Sequence, residues 1–204
     1  MAVNRIISND ERLDVHWRNQ LPVLRSARVT AREMRRSDAA ALHAIASHPD
    51  VARFMWPAPA NVAAVQRFID WARRERRAGT YICFGLVCPA TDRLAGLIEL
   101  RRLQPDFFRA EAGFFVDPDY WGSGIFADAA DMVFGFAFDV VAVSRIEART
   151  AVENLRGNGA LAKAGFRHEG VLHDAFVYDG RYSDQNLWAL SRRQPSVLVT
   201  RRNV

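Results

Sequence analysis

At 204 residues, half of them hydrophobic and a quarter charged, the chain has the length of one globular domain and too much apolar content for a disordered tail. Its formal charge of +5 comes without an aromatic-interleaved basic ribbon or helix-turn-helix spacing, which argues against nucleic acid as a partner. The two cysteines, Cys83 and Cys88, are too few for a disulfide framework and have no metal-ligand company, so neither staples nor a metal site are expected.

The first 20 residues hold no apolar run of signal-peptide length, and the most apolar stretch, residues 132–143, is interrupted by Asp139. The expectation is a cytoplasmic protein with no membrane partner. Residues 1–24 lack periodicity and contain Pro22; they are expected to be an N-terminal extension packed loosely on the domain, with Trp17 as its anchor. The domain is expected over residues 25–192, followed by a polar tail, 193–204.

Within the domain, residues 28–34 alternate, Val29, Ala31 and Glu33 opposing Thr30, Arg32 and Met34, and predict a first strand. Ser37 and Asp38 offer N-cap chemistry for a helix through His48, stopped by Pro49. Two prolines make residues 54–59 a loop. A second helix is predicted over residues 61–78, with Val62, Val65, Phe68, Ile69 and Ala72 on one face and Gly79 at its end. Arg73, Arg74, Arg76 and Arg77 near that end read as a solvated face, or alternatively as an electropositive rim. Strands follow over 81–88, 94–103 and 109–116, then a glycine-bearing loop, a helix over 125–138, a strand over 144–151 and a helix over 155–164. A hairpin of residues 166–178 and 181–190, closed at Asp179-Gly180, ends the domain. The order is β-α-α-β-β-β-α-β-α-β-β, a mixed α/β (α+β) domain around one sheet.

The segment Phe114-Phe115-Val116-Asp117-Pro118-Asp119-Tyr120-Trp121-Gly122-Ser123-Gly124-Ile125-Phe126-Ala127 runs from a strand through glycines into a helix. Glycines let backbone approach a ligand, and a helix start presents free N–H groups and a positive dipole end, suited to a pyrophosphate. Three alternatives stand: a structural turn, a dinucleotide site built on Gly122-x-Gly124-x-x-Ala127 with Glu147 downstream, or a coenzyme A pyrophosphate loop. Against the dinucleotide, residues 117–121 separate the glycines from the strand, and three consecutive antiparallel-looking strands precede the unit.

The stretch from Val116 to Gly124 resembles the acetyl-CoA loop of the GNAT N-acetyltransferase superfamily, particularly its ribosomal-protein (RimJ/RimL-type) branch, with a proline, an aromatic and Trp-Gly-x-Gly before the helix. A second block, from Asn154 through Lys163-Ala164-Gly165-Phe166 to Glu169-Gly170, is similar to the family's Asn-initiated helix ending in Lys-x-Gly-Phe-x-x-Glu-Gly. Asp179-Gly180-Arg181-Tyr182-Ser183-Asp184 resembles its final hairpin. The resemblance implies a GNAT-like fold: one mixed, mostly antiparallel sheet, splayed between residues 109–116 and 144–151 and flanked by helices. Backbone of Phe114, Phe115 and Val116 would pair with pantetheine, and N–H groups of Trp121, Gly122, Ser123, Gly124, Ile125, Phe126 and Ala127 would hold the pyrophosphate. Asn154, with Asn158 beyond it, would face the cofactor.

The sequence departs from the family at Phe126, where a small residue is usual, at Gly157, where relatives carry a serine, and at Leu161, where other branches carry an acidic tyrosine. Acyl transfer from a thioester needs a deprotonated amine and a polarised carbonyl. A backbone N–H at Phe115 or Val116 could polarise; Glu111 and Glu99, on neighbouring strands, are the candidate bases, unless each is only an acid paired with Arg101 or Arg109. His43, His48, His168 and His173 are scattered; Asp184 reads as a brace of the hairpin. The expected function is acetyl transfer from acetyl-CoA, without a metal, to a primary amine by direct attack in a ternary complex. A protein N-terminus is favoured over a small-molecule amine, and the enzyme would act as a monomer or homodimer. The alternative is a non-catalytic acetyl-CoA-binding sensor.

Overall fold

The computed structural model describes residues 17–55, 58–178 and 180–192. Eight strands form one sheet among these residues, in the order β1-β2-β3-β4-β5-β6-β8-β7. They are β1 (Leu24–Arg25), β2 (Thr30–Glu33), β3 (Tyr81–Cys88), β4 (Arg93–Arg102), β5 (Arg109–Val116), β6 (Arg145–Ala151), β7 (Arg167–Tyr178) and β8 (Arg181–Ser191). The helices are α1 (Ala39–Ala46), α2 (Pro49–Ala52), α3 (Val62–Ala78), α4 (Ile125–Asp139) and α5 (Leu155–Lys163). No helix among the described residues is long and apolar enough to cross a membrane.

Every neighbouring pair of strands is antiparallel except β5 and β6. Those two run parallel and pair at Arg109↔Arg145, Ala110↔Ile146, Glu111↔Glu147 and Ala112↔Ala148, after which they part. This is the splay expected from the resemblance. It excludes a doubly wound dinucleotide fold, whose parallel sheet would need successive βαβ crossovers.

The sheet buries both faces over β3 and β4, so β3 reads as one apolar run instead of alternating. Ile82, Phe84, Leu86, Ile98 and Leu100 pack against Ala130, Val133 and Phe134 of α4. On the opposite face Tyr81, Cys83 and Leu97 pack against Leu42 and Ile45 of α1 and Val65 and Ile69 of α3. Helix α3 begins where Asn61 Oδ1 accepts the Ala64 N–H at 2.9 Å and ends at Gly79, whose φ of +73° takes the chain into β3.

Three expectations shift. Pro49 starts a helical turn instead of only ending one. At the first position of α2 it needs no N–H partner, and His48 Nδ1 caps the turn by accepting the Asp50 N–H at 3.2 Å. The N-terminal segment is tighter than expected where it is described. Trp17 and Leu21 are buried in the core, Trp17 edge-on to Phe107 at 5.6 Å, and Leu24–Arg25 pairs with β2. Residues 1–16, the tail from 193, and Asp179 of the closing turn lie outside the described residues.

The arginine cluster of α3 is only half a solvated face. Arg74 and Arg77 are exposed, but Arg76 is buried, donating to Glu33 Oε1 at 2.6 Å and to the carbonyls of Trp17 and Arg18. Arg73 donates to the Met34 carbonyl at 2.8 Å. Both arginines point inward because helical spacing brings them to the side of α3 that faces β2 and the incoming chain.

Candidate active site

Register decides which main-chain groups of β5 face the gap. The Asp117 N–H donates to the Ala95 carbonyl and the Leu103 N–H to the Arg109 carbonyl, both at 2.8 Å, so odd-numbered residues of β5 bond toward β4. The Ser144 N–H donates to the Phe108 carbonyl at 3.0 Å, so even-numbered residues face β6. Beyond Ala112, β6 has moved away, and the polar groups of Phe114 and Val116 look into open space. Those of Phe115 belong to its pairing with Leu97. The Val116 carbonyl accepts the Trp121 indole N–H at 2.8 Å. What remains for a ligand is the Phe114 N–H and C=O and the Val116 N–H.

The turn Pro118–Tyr120 leads from β5 to the glycines. Gly122 has φ +78° and nothing within 4 Å of where a Cβ would stand; Gly124, the N-cap of α4, has φ +86° and no side-chain cap. Ser123 spends its hydroxyl, at 2.6 Å, and its N–H, at 3.2 Å, on the Tyr120 carbonyl. The Trp121 N–H donates to the Pro118 carbonyl at 3.1 Å and the Ile125 N–H to Ser123 Oγ at 3.3 Å, so these three amides, expected at the pyrophosphate, already have partners. The Phe126 and Ala127 amides, in the first turn of α4, lack intrahelical acceptors, as at any helix start. Ile125 is buried and Ala127 exposed. The unusually large Phe126 turns onto Phe114, ring centroids 4.3 Å apart, and does not fill the loop. A glycine cradle, free amides and a dipole end together fit a pyrophosphate.

Cations flank that loop. Arg28 lies beside Gly124, 3.4 Å from the place of a Cβ there, and pairs with Asp128 at 3.1 Å. Arg156, in the first turn of α5, stacks on Trp121 with its guanidinium 4.5 Å from the ring centroid. Trp121 therefore touches β5 through Val116 and α5 through Arg156, across the mouth of the gap.

The two asparagines of α5 differ. Asn154 caps the helix through Oδ1, which accepts the Gly157 N–H at 2.9 Å, and its side-chain amide folds over Gly157. A Cβ at 157 would stand 2.6 Å from Asn154 Nδ2, so the serine of relatives has no room in this arrangement. Asn158 is consumed by the protein. Its Oδ1 accepts from Thr150, Asn186 and Trp188, and its Nδ2 donates to the carbonyls of Ala151, Val152 and Asn154. It pins α5 to β6 and β8 and has no atom left for a cofactor. Leu161 lies fully in the core.

The carboxylates also separate. Glu111 belongs to the closed part of the β5–β6 pairing, opposite Glu147, and is held by Arg101 and, at 3.7 Å, by Arg149. Glu99 pairs in register with Gly113, the first residue past the last β5–β6 pair. Its Oε1 would lie 2.8 Å from a Cβ at Gly113, so the carboxylate rests across β5 where the strands part, and the Tyr81 hydroxyl donates to Oε2. Burial pushes the Glu99 carboxyl above its ordinary value, helped by the charge of Glu111 and opposed by Tyr81 and Arg101. Glu147, the acid a dinucleotide reading would place on a ribose, is buried between Arg109 and Arg145, the latter at 2.9 Å.

Tyr81, Arg28 and Arg156 join the site without any motif that marks them in the sequence. Gly113 does carry a signal, since glycine inside a strand marks a close approach. The histidines stay apart: His43 meets Ser47, and His168 meets Asn186. His173 and the Asp174 N–H both bond Asp184, which braces a bulge of the β7–β8 hairpin.

Residues 28–167 match the model of the acetyltransferase (GNAT) domain family. An uncharacterised N-acetyltransferase of Bacillus subtilis, YoaA, is 28% identical over 174 residues, 83% of this chain and 96% of its own. Partial matches are 30% identical to the ribosomal-protein-serine acetyltransferase of Escherichia coli (48% of this chain, 55% of that one) and 28% to the spermidine N(1)-acetyltransferase of Vibrio cholerae (47% and 55%). The structure of Mycobacterium smegmatis RimJ in complex with CoA-disulfide superposes with a TM-score of 0.71 at 26% identity, covering 80% of this chain and 81% of that one. The chain belongs to the GNAT acetyltransferase family and is an N-acetyltransferase with acetyl-CoA as its acetyl donor.

Proposed function

We propose that the chain acetylates a protein N-terminus by direct attack of the amine within a ternary complex, with Glu99 as the base. The observation that carries this reading is the Glu99 carboxylate lying over Gly113, where β5 and β6 separate. Acetyl-CoA supplies an activated acyl carbon and a thiolate leaving group. Glu99 takes the proton of the incoming ammonium or of the attacking amine as the C–N bond forms and the C–S bond breaks. The Phe114 or Val116 N–H, aimed into the gap, donates to the carbonyl oxygen as charge builds on it. Ser and Tyr acids have no counterpart at Gly157 and Leu161, so the thiolate is protonated from solvent.

The pyrophosphate reading assigns the amides of Gly122, Gly124, Phe126 and Ala127 to the phosphates, the Trp121 ring to closing the mouth, and Asn154 Nδ2 to the pantetheine arm. Support for a protein N-terminus comes from the RimJ/RimL-type motif Trp121-Gly122-Ser123-Gly124 and the ribosomal-protein relative; the spermidine relative supports a small amine instead.

Calorimetric titration with acetyl-CoA tests the cofactor site, with Ala127→Glu as the variant. Glutamate at this exposed third position of α4 suits the helix and sets a carboxylate among the free amides, whereas any side chain at Gly124 would be strained by its φ of +86°. Wild-type affinity near micromolar, about −8 kcal/mol, with loss of binding in a folded variant is the expected result. Equal affinity in both would remove the phosphates from this loop. Turnover on peptides with a free N-terminal serine or alanine, compared with spermidine, then decides the acceptor.

A further inference from the structure

We propose that Tyr81 is a positioning residue of the acyl-transfer site, its phenol and the missing side chain at Gly113 together fixing the Glu99 carboxylate at the parting of β5 and β6. The inference rests on Glu99 being the base. Strands β3 and β4 pair at Tyr81↔Arg101 and Cys83↔Glu99, so Tyr81 stands diagonal to Glu99 on the same face, within reach of an aromatic side chain. Its ring is buried and held by α3, with Trp71 at 4.7 Å and Phe68 at 6.4 Å between centroids. A phenol so fixed offers its hydroxyl in one place, and Glu99 Oε2 accepts there. The other oxygen lies over Gly113, where a Cβ would stand 2.8 Å away. One oxygen is bonded on the β3 side and the other is left free at the gap.

The remaining groups around Glu99 do not duplicate this donor. Cys83 of β3 is a buried thiol whose ionisation burial pushes well up. Arg101 of β4 and Glu111 of β5 pair with each other. Helix α3 lays the uncharged rings of Phe68 and Trp71 on Tyr81, and its Arg73 and Arg76, on the Cys83 side, are committed to the Met34 carbonyl and to Glu33. Glu33, farther off on β2, is bonded to Arg76. A hydroxyl donating to a carboxylate favours its ionised form, so Tyr81 offsets part of the burial that raises Glu99.

The test tracks the Glu99 carboxyl carbon by NMR in protein labelled with [13C]glutamate, the signal assigned by its loss in Glu99→Gln. In Tyr81→Phe the midpoint should rise by about one pH unit, the loss of one charge-assisted bond. The acid limb of kcat/KM, with acetyl-CoA and a serine-initiated peptide or spermidine, should move with it while KM for acetyl-CoA stays within about twofold. Gly113→Ala should lower kcat about tenfold with its circular dichroism unchanged, because the carboxylate is pushed off its place. A Glu99→Gln enzyme with wild-type turnover overturns the base and, with it, this role for Tyr81. An inactive Glu99→Gln beside a Tyr81→Phe whose midpoint and acid limb have not moved overturns the role of Tyr81 alone.

Discussion

From Arg109 to Ala112, β5 is stitched to β6; from Gly113 to Val116 the same strand has a neighbour on one side only. Glutamates lie on the same face at both halves, Glu111 and Glu147 at the closed one and Glu99, reaching over from β4, at the open one, in opposite surroundings. In the closed half, burial would raise Glu147, but Arg109 and Arg145 more than offset it and hold its carboxyl below the ordinary range. Arg145 extends the row to Glu169, whose pKa it also lowers. In the open half, Glu99 lies against a phenol and a glycine, and burial raises its pKa although the Tyr81 hydroxyl opposes the shift. An acid surrounded by guanidinium groups is a clamp that cannot release its charge near neutrality. On the proposed function the splay needs both ends: a fixed one to set the gap and an open one in which Glu99 works.

Removing each acid should therefore produce opposite signatures. Glu99→Gln is expected to lower kcat by about 100-fold or more, the usual scale for losing a general base, without lowering stability. Its raised pKa means the folded state holds the proton more tightly than the unfolded state. That contribution is full at low pH and lost as pH rises through the raised value, so the variant should melt at or above wild type at neutral pH. Differential scanning calorimetry at pH 5 and pH 8 checks the sign; a variant destabilised at pH 8 would contradict it.

Glu147→Ala should do the reverse. Two partly buried arginines lose their partner, at a cost of about 2–3 kcal/mol, or roughly 5–10 °C in Tm for a chain of this size, with kcat/KM changed only a few fold. Because the Glu147 pKa is lowered, its contribution is present above the ordinary carboxylate value and lost as pH falls through the depressed one. Wild-type and variant melting curves should converge in acid. If Glu147→Ala instead lost activity at unchanged Tm, the closed half would be more than a clamp.

How far the sequence showed this division can be judged element by element. The glycine loop and the chain order of the strands were legible because turn chemistry and strand periodicity are local; the parting of residues 109–116 from 144–151 came only with the family resemblance. The two candidate bases were legible as residue types but not as roles, since register decides which one reaches Gly113 and which one meets Arg101 and Arg149. The same register commits Phe115 to β4 and leaves Phe114 and Val116 to the gap, a parity that no propensity encodes. The inward turn of Arg76 depended on carbonyls of Trp17 and Arg18, some 58 residues away in sequence.

Asn158 marks the boundary between the two halves from the α5 side. Its expected place at the cofactor gives way to a hub joining Thr150, Asn186 and Trp188, which fixes where α5 sits beyond the open end of β6. Asn158→Ala should cost about 1–2 kcal/mol by stranding those donors. If the hub only positions α5, acetyl-CoA affinity should fall less than about fivefold by calorimetry. A much larger loss at unchanged Tm would return Asn158 to the ligand.

Glu111 gives the smallest effect and the finest test of the comparison. It sits one register step on the closed side of the boundary, its charge shared between Arg101 and Arg149, both largely in solvent. Exposed guanidinium groups contribute little, typically below about 1 kcal/mol per pair, so Glu111→Gln should shift Tm by no more than about 3 °C. It should also leave the base in place. The loss of a nearby negative charge removes one of the influences that raise Glu99, so the Glu99 midpoint should move down in Glu111→Gln, opposite in sign to its movement when burial is increased. The acid limb of the rate profile should move downward with it, with kcat at its plateau reduced by less than about fivefold. A collapse of kcat in Glu111→Gln comparable to that of Glu99→Gln would move the chemistry into the closed half and erase the distinction between the two.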